Sequence, residues 1–172
     1  MQLDPIYIYG ISLDNRNTRN VDNFKFYYLS FLKLKSFVFL VIMEKKMISY
    51  IMLGTNDLDK AVNFFDIILH PLGLHRVELD RDYAGYAEKK RGSEIEFYVT
   101  KPFNGETASV GNGSMVSFLV GSKNQVDLFH EIALKNGAKN EGDPGPRPPE
   151  GDMYYCYIRD LDGNKICVCS KI

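Results

Sequence analysis

The sequence predicts an α+β fold built from one βαβββ unit used twice. The first observation is an internal repeat. With Tyr50 set over Met115, the run Ile48 to Phe65 lies over Gly113 to His130. Both copies read as a short apolar strand, a polar turn and an amphipathic helix. Arg91 to Phe97 likewise lies over Asp162 to Val168, each a turn followed by a strand. The match is one of pattern rather than identity, and a repeat of this length means two similar units packed together. The second observation is that glycine, proline and Asp/Asn punctuation falls between the periodic segments of both copies.

The elements follow in order. Met47 to Gly54 alternates loosely and predicts a strand. Asn56 or Asp57 can cap the helix after it, because an Asx oxygen accepts from a free backbone N–H. Leu58, Ala61, Val62, Phe65, Ile68 and Leu69 recur at three- and four-residue spacing, which is one apolar helix face. Pro71 and Gly73 end it. Leu74 to Leu79, Tyr83 to Lys89 and Glu94 to Thr100 predict three strands, separated by Asp80 to Asp82 and Lys90 to Gly92. Lys101 to Gly113 is a loop.

Met115 to Val120 opens the second unit as a strand. Asn124 to Asn136 predicts a helix with Val126, Phe129, Ile132 and Ala133 on one face, stopped by Gly137. Ala138 to Glu141 can form a short strand. Gly142 to Gly151 holds four prolines and predicts a functional loop, neither helix nor strand. Met153 to Arg159 and Lys165 to Ser170 are strands joined by Asp160 to Asn164, a tight-turn sequence.

Composition narrows the function classes. A net charge of −1 leaves no nucleic-acid footprint. Residues 1–46 carry seven Lys/Arg against four Asp/Glu, so a mildly basic extension precedes a mildly acidic domain at 47–172, with units at about 47–100 and 114–170. Phe24 to Met43 is apolar and aromatic, but Lys25, Lys33 and Lys35 interrupt it, short of the ~20 clean residues of a membrane span. The expectation is a start assigned too far upstream, with the native chain beginning at Met43 or Met47, or else a family-specific helical extension. Three cysteines, Cys156, Cys167 and Cys169, make a poor disulfide framework and fit a cytoplasmic protein.

The order of elements and the segments Leu53 to Phe65, Pro71 to Leu74, Gly111 to Phe118 and Tyr157 to Ile166 resemble the vicinal oxygen chelate superfamily. This is the glyoxalase, bleomycin-resistance and extradiol-dioxygenase group, and among its members small bacterial glyoxalase-like proteins are most similar. The resemblance covers about residues 47–172. It implies that the two units curl into a half-open, curved mixed sheet, the glyoxalase-like fold, with helices on its outer face. It also implies that ligands of a catalytic metal come from the first and last strands of each unit. Carried over by position, these are Tyr50, Glu96, Met115 and Cys167.

The cofactor is then either absent or a divalent metal on Glu96, Cys167 and Tyr50, an unusual donor set. Alternation places Glu94, Glu96 and Tyr98 on one strand face, and the repeat makes it the cup face. A carboxylate there has its pKa raised by desolvation and suits a general base; if the parity is one residue out, Glu96 is instead an exposed strand residue. Arg147 can grip a carboxylate at two points, or be a solvated loop arginine. Tyr50, Met115 and Tyr98 are expected to line the ligand site. His70, His75 and His130 are expected to be structural. Two functions remain. One is a lactoylglutathione lyase-like lyase or isomerase of a small carbonyl or thiol-adduct compound, with Glu96 as base and Arg147 as anchor. The other is a metal-free, bleomycin-resistance-type protein that sequesters a small ligand. By resemblance the chain forms a homodimer, and it has no nucleic-acid or membrane partner.

Overall fold

The computed structural model describes residues 48–88 and 94–172. The extension at 1–46 lies outside the described residues. Each unit opens on a short strand: β1 is Ile51–Gly54 and β5 is Val116–Leu119. A helix follows in each, α1 at Leu58–Ile68 and α2 at Lys123–Lys135. Both are capped as their sequences dictate: Asp57 accepts from the Lys60 N–H, and Ser122 from that of Gln125. A 3₁₀ turn, His70–Leu72, ends on Gly73 at φ 84°, a left-handed value that a side chain would strain.

The three remaining strands of the first unit are β2 (Leu74–Leu79), β3 (Tyr83–Glu88) and β4 (Phe97–Thr100). Those of the second are β6 (Lys139–Pro146), β7 (Met153–Arg159) and β8 (Lys165–Lys171). The sheets have equivalent orders, β1-β4-β3-β2 and β5-β8-β7-β6. In both, the opening strand pairs parallel with the last one and all other pairs are antiparallel.

One face of each sheet packs against the helices. Phe97 and Val99 point there from β4, and Ile166 and Val168 from β8. They join Phe65, Ile68, Val126 and Phe129 in one core that spans both units, with the Phe97 and Phe118 rings 5.6 Å apart. Polar bonds also tie the units. The Thr55 hydroxyl donates to Asp162 Oδ2 at 2.6 Å, and Asn164 Nδ2 donates to the Gly54 carbonyl at 3.0 Å.

The proline-rich segment departs from the expected loop. Gly142 to Pro146 continues β6 to the edge of the second sheet, with register shifts at Asn140/Gly142 and Gly142/Gly145. An edge strand needs only one row of its backbone groups paired, so prolines and bulges are tolerated there.

Candidate functional site

Strand alternation assigns the face opposite the helices. In the first unit Met52, Tyr98, Gly85 and Tyr83 share it by register. Tyr50 joins them: its ring meets that of Tyr98 edge-on at 5.2 Å, and Tyr98 meets Tyr83 in the same way at 5.7 Å. The Tyr83 hydroxyl donates to Glu78 Oε1 at 2.6 Å, which pushes the phenol up to about 12. The result is a strip of three tyrosines across β1, β4 and β3, with a carboxylate at one end.

In the second unit the same face carries Ser117, Cys167, Cys169, Tyr155 and Tyr157. Tyr155 and Tyr157 are stacked at 6.1 Å with an interplanar angle of 10°. The Arg147 guanidinium lies 4.9 Å from the centre of the Tyr157 ring, and Lys165 Nζ lies 5.4 Å from it. Arg147 donates to the carbonyls of Tyr155 at 3.3 Å and Asp143 at 3.1 Å. Two neutral acceptors and an aromatic face hold it in place without cancelling its charge. Beside this face a cavity of about 720 Å³ opens between the 110–115 linker and the 162–165 turn, with Met115, Arg159 and Lys165 in its wall.

Cys156 has the opposite parity. It is fully buried under α2, its thiol donates to the Val126 carbonyl at 3.7 Å, and burial pushes it up to about 12. The tyrosines of β7 therefore line the cup and the cysteine lines the core. His130 is buried at the Asn140 side chain, 3.1 Å away. His70 and His75, five positions apart, meet edge-on at 5.2 Å.

The sheet registers correct the repeat alignment. Ile51 pairs with Phe97, and Val116 with Ile166. With Ile51 equivalent to Val116, the counterpart of Cys167 is Tyr98, and that of Glu96 is Lys165. The alignment had slipped by two residues, a slip that keeps side-chain parity and so leaves the hydrophobic pattern intact. Parity at Glu96 is also less regular than alternation implies. Ile95 and Tyr98, three residues apart, both lie against Gly85. The Glu96 N–H bonds to the Tyr86 carbonyl although Tyr86 is in register with Phe97. Strict alternation therefore does not carry back from Tyr98 to Glu96, which is half-buried immediately before β4.

The family-matched donors are a poor fit to an octahedral oxygen and nitrogen site: a phenol at Tyr50, a thioether at Met115 and a thiol at Cys167 surround one carboxylate. Burial raises the Cys167 thiol, which opposes the thiolate a metal needs. Among the described residues no three His, Cys, Asp or Glu side chains are grouped to hold a metal ion.

A family model described as the Glyoxalase/Bleomycin resistance protein/Dioxygenase superfamily matches residues 47–168. The chain belongs to this superfamily. A glyoxalase/bleomycin resistance protein from Albidiferax ferrireducens is 35% identical, with 74% of this chain and 100% of that chain covered and a TM-score of 0.66. A glyoxalase-related enzyme from Fulvimarina pelagi is 17% identical, covering 73% and 88%, with a TM-score of 0.57. A genomically encoded fosfomycin resistance protein from Listeria monocytogenes is 16% identical, covering 72% and 92%, at 0.53. The last two share the fold alone with this superfamily member. A comparison with curated proteins gives no match. Among the described residues no helix is long and apolar enough to cross a membrane.

Proposed function

We propose that this protein binds and sequesters a small molecule with a flat body and an anionic group, in the manner of the metal-free members of its superfamily. The observation that carries this reading is Arg147: a guanidinium fixed over Tyr157 by two backbone carbonyls. Such a group offers two parallel N–H donors to a carboxylate or phosphate. Tyr155 and Tyr157 on one unit, and Tyr50 and Tyr98 on the other, supply aromatic walls for the body of the ligand. Calorimetric titration with small aromatic carboxylates such as 4-hydroxybenzoate tests it. Binding that falls at least tenfold in Arg147→Met supports the reading; equal affinity in that variant sinks it.

A second reading is a lyase or isomerase of a small carbonyl or thiol-adduct compound, with Glu96 as base and Arg147 as anchor. The half-burial of Glu96 two positions before Tyr98 favours it. Here Glu96→Gln would keep affinity and lose turnover, whereas a parent protein without turnover on such compounds excludes it.

A second copy of the chain is the natural cover for the cup. Tyr50, Met52, Met115 and Leu119 are between 47% and 74% exposed along the two opening strands. Apolar groups clustered in this way mark an interface. The free cysteines fit a reducing cytoplasm.

A further inference from the structure

Two thiols that the proposed function does not use sit side by side on the cup face of β8. Cys167 is in register with Ser117 and Tyr157, and Cys169 with Leu119 and Tyr155. Their residues are 1% and 7% exposed. The Ser117 hydroxyl lies 3.7 Å from the Cys169 sulfur. The Cys167 thiol is in hydrogen-bond contact with both Ser117 and Cys169. The two sulfurs and the hydroxyl therefore form one cluster.

The chemistry of the cluster is narrow. Alternate residues of one strand have Cα atoms about 6.6–6.8 Å apart, at the outer limit for a disulfide. Both cysteines are free. An ion between the sulfurs tolerates a wider gap than a covalent bond does. Because no larger group of His, Cys, Asp or Glu gathers among the described residues, a metal that demands four such ligands is not served. A soft d¹⁰ ion content with two sulfurs is served. Charge selects a monovalent ion. Two thiolates around a +1 cation carry a net charge of −1, and Arg147 is the neighbouring positive group whose field favours the Cys167 thiolate. Cys156 contributes nothing, since it lies on the opposite face of the sheet.

We propose that Cys167 and Cys169 form a two-coordinate site for Cu(I) on the floor of the cup. The two thiols lose two protons, the ion forms two Cu–S bonds, and no oxidant or reductant is consumed. The site stands apart from organic ligand binding, and the two are separable because 4-hydroxybenzoate needs no thiol.

The test is anaerobic titration of the full chain with Cu(I) against a chromogenic Cu(I) chelator, with circular dichroism to confirm the fold of each variant. The expected result is uptake of about one ion per chain, with two sulfur neighbours by X-ray absorption. Cys167→Ser and Cys169→Ser should each weaken uptake beyond the ~10–100-fold that outer partners command, and Arg147→Met by about tenfold. Cys156→Ala should leave it unchanged. Folded protein that takes up no Cu(I), or uptake that survives in the Cys167→Ser/Cys169→Ser double variant, overturns the proposal.

Discussion

The guanidinium of Arg147 reaches the ring of Tyr157, 4.9 Å away, because residue 142 has no side chain. A Cβ at Gly142 would stand 2.9 Å from Tyr157 Cδ2 and 3.2 Å from Arg147 Nη2. Gly142→Ala therefore displaces either the ring or the guanidinium. It should cost about 1–3 kcal/mol of stability by overpacking. It should also weaken 4-hydroxybenzoate binding, as measured by calorimetry. Unchanged affinity would show that the Arg147 position does not matter to the ligand.

Asp162 joins the two units through three accepted hydrogen bonds, from the Thr55 hydroxyl at 2.6 Å, the Asn56 N–H at 2.9 Å and Asn56 Nδ2 at 3.0 Å. Thr55 is 1% exposed. Asp162→Ala strips that buried hydroxyl of this carboxylate acceptor, a loss of about 1–3 kcal/mol. Urea denaturation should show a lower midpoint at unchanged slope. Thr55→Val combined with Asp162→Ala should recover part of the loss.

Asp160 is 4% exposed, and burial raises its carboxyl above the ordinary value of 3.8 despite bonds from Asn164 and the Asp162 N–H. The folded state thus holds this proton more tightly than the unfolded state. The resulting contribution is complete below about pH 3.8 and is lost as pH rises through the folded value. The stability advantage of the parent over Asp160→Asn should shrink between pH 3 and pH 6. Paired urea titrations across that range check it, and a widening gap would contradict it.

Tyr83 owes its raised phenol first to the hydrogen bond with Glu78 and then to lesser burial and charge effects. In Glu78→Gln the Tyr83 value should move back toward 10, which ¹³Cζ tyrosine NMR titration can follow. A Tyr83 resonance that titrates as before would place the cause elsewhere.

Leu119 is 74% exposed on the opening strand of the second unit. If the cup is closed by a second copy, Leu119→Glu should weaken self-association by about tenfold or more, since the charge would be buried against apolar surface. Sedimentation velocity over a concentration series measures it. A parent protein that stays monomeric at high concentration removes the homodimer.

Sequence alone determined the βαβββ order, the two helices and most strand limits. Period, caps and turn residues are local signals, and β7 at Met153–Arg159 matches its expected span. Local patterning also placed Tyr98 and Cys167 on the cup face, because alternation within a strand needs no partner. It could not fix register between distant strands. A two-residue slip preserves every side-chain face, so Glu96 was set against Cys167 where the sheets set Tyr98. Nor could it see that Gly142 to Pro146 finds a partner in β7, because a proline's cost depends on whether its strand lies at an edge. The contact of Arg147 with Tyr157 and the closeness of Cys169 to Ser117 arise from pairing between β6, β7, β8 and β5. Only the tertiary structure decided them, because they join residues that nothing in the local sequence brings together.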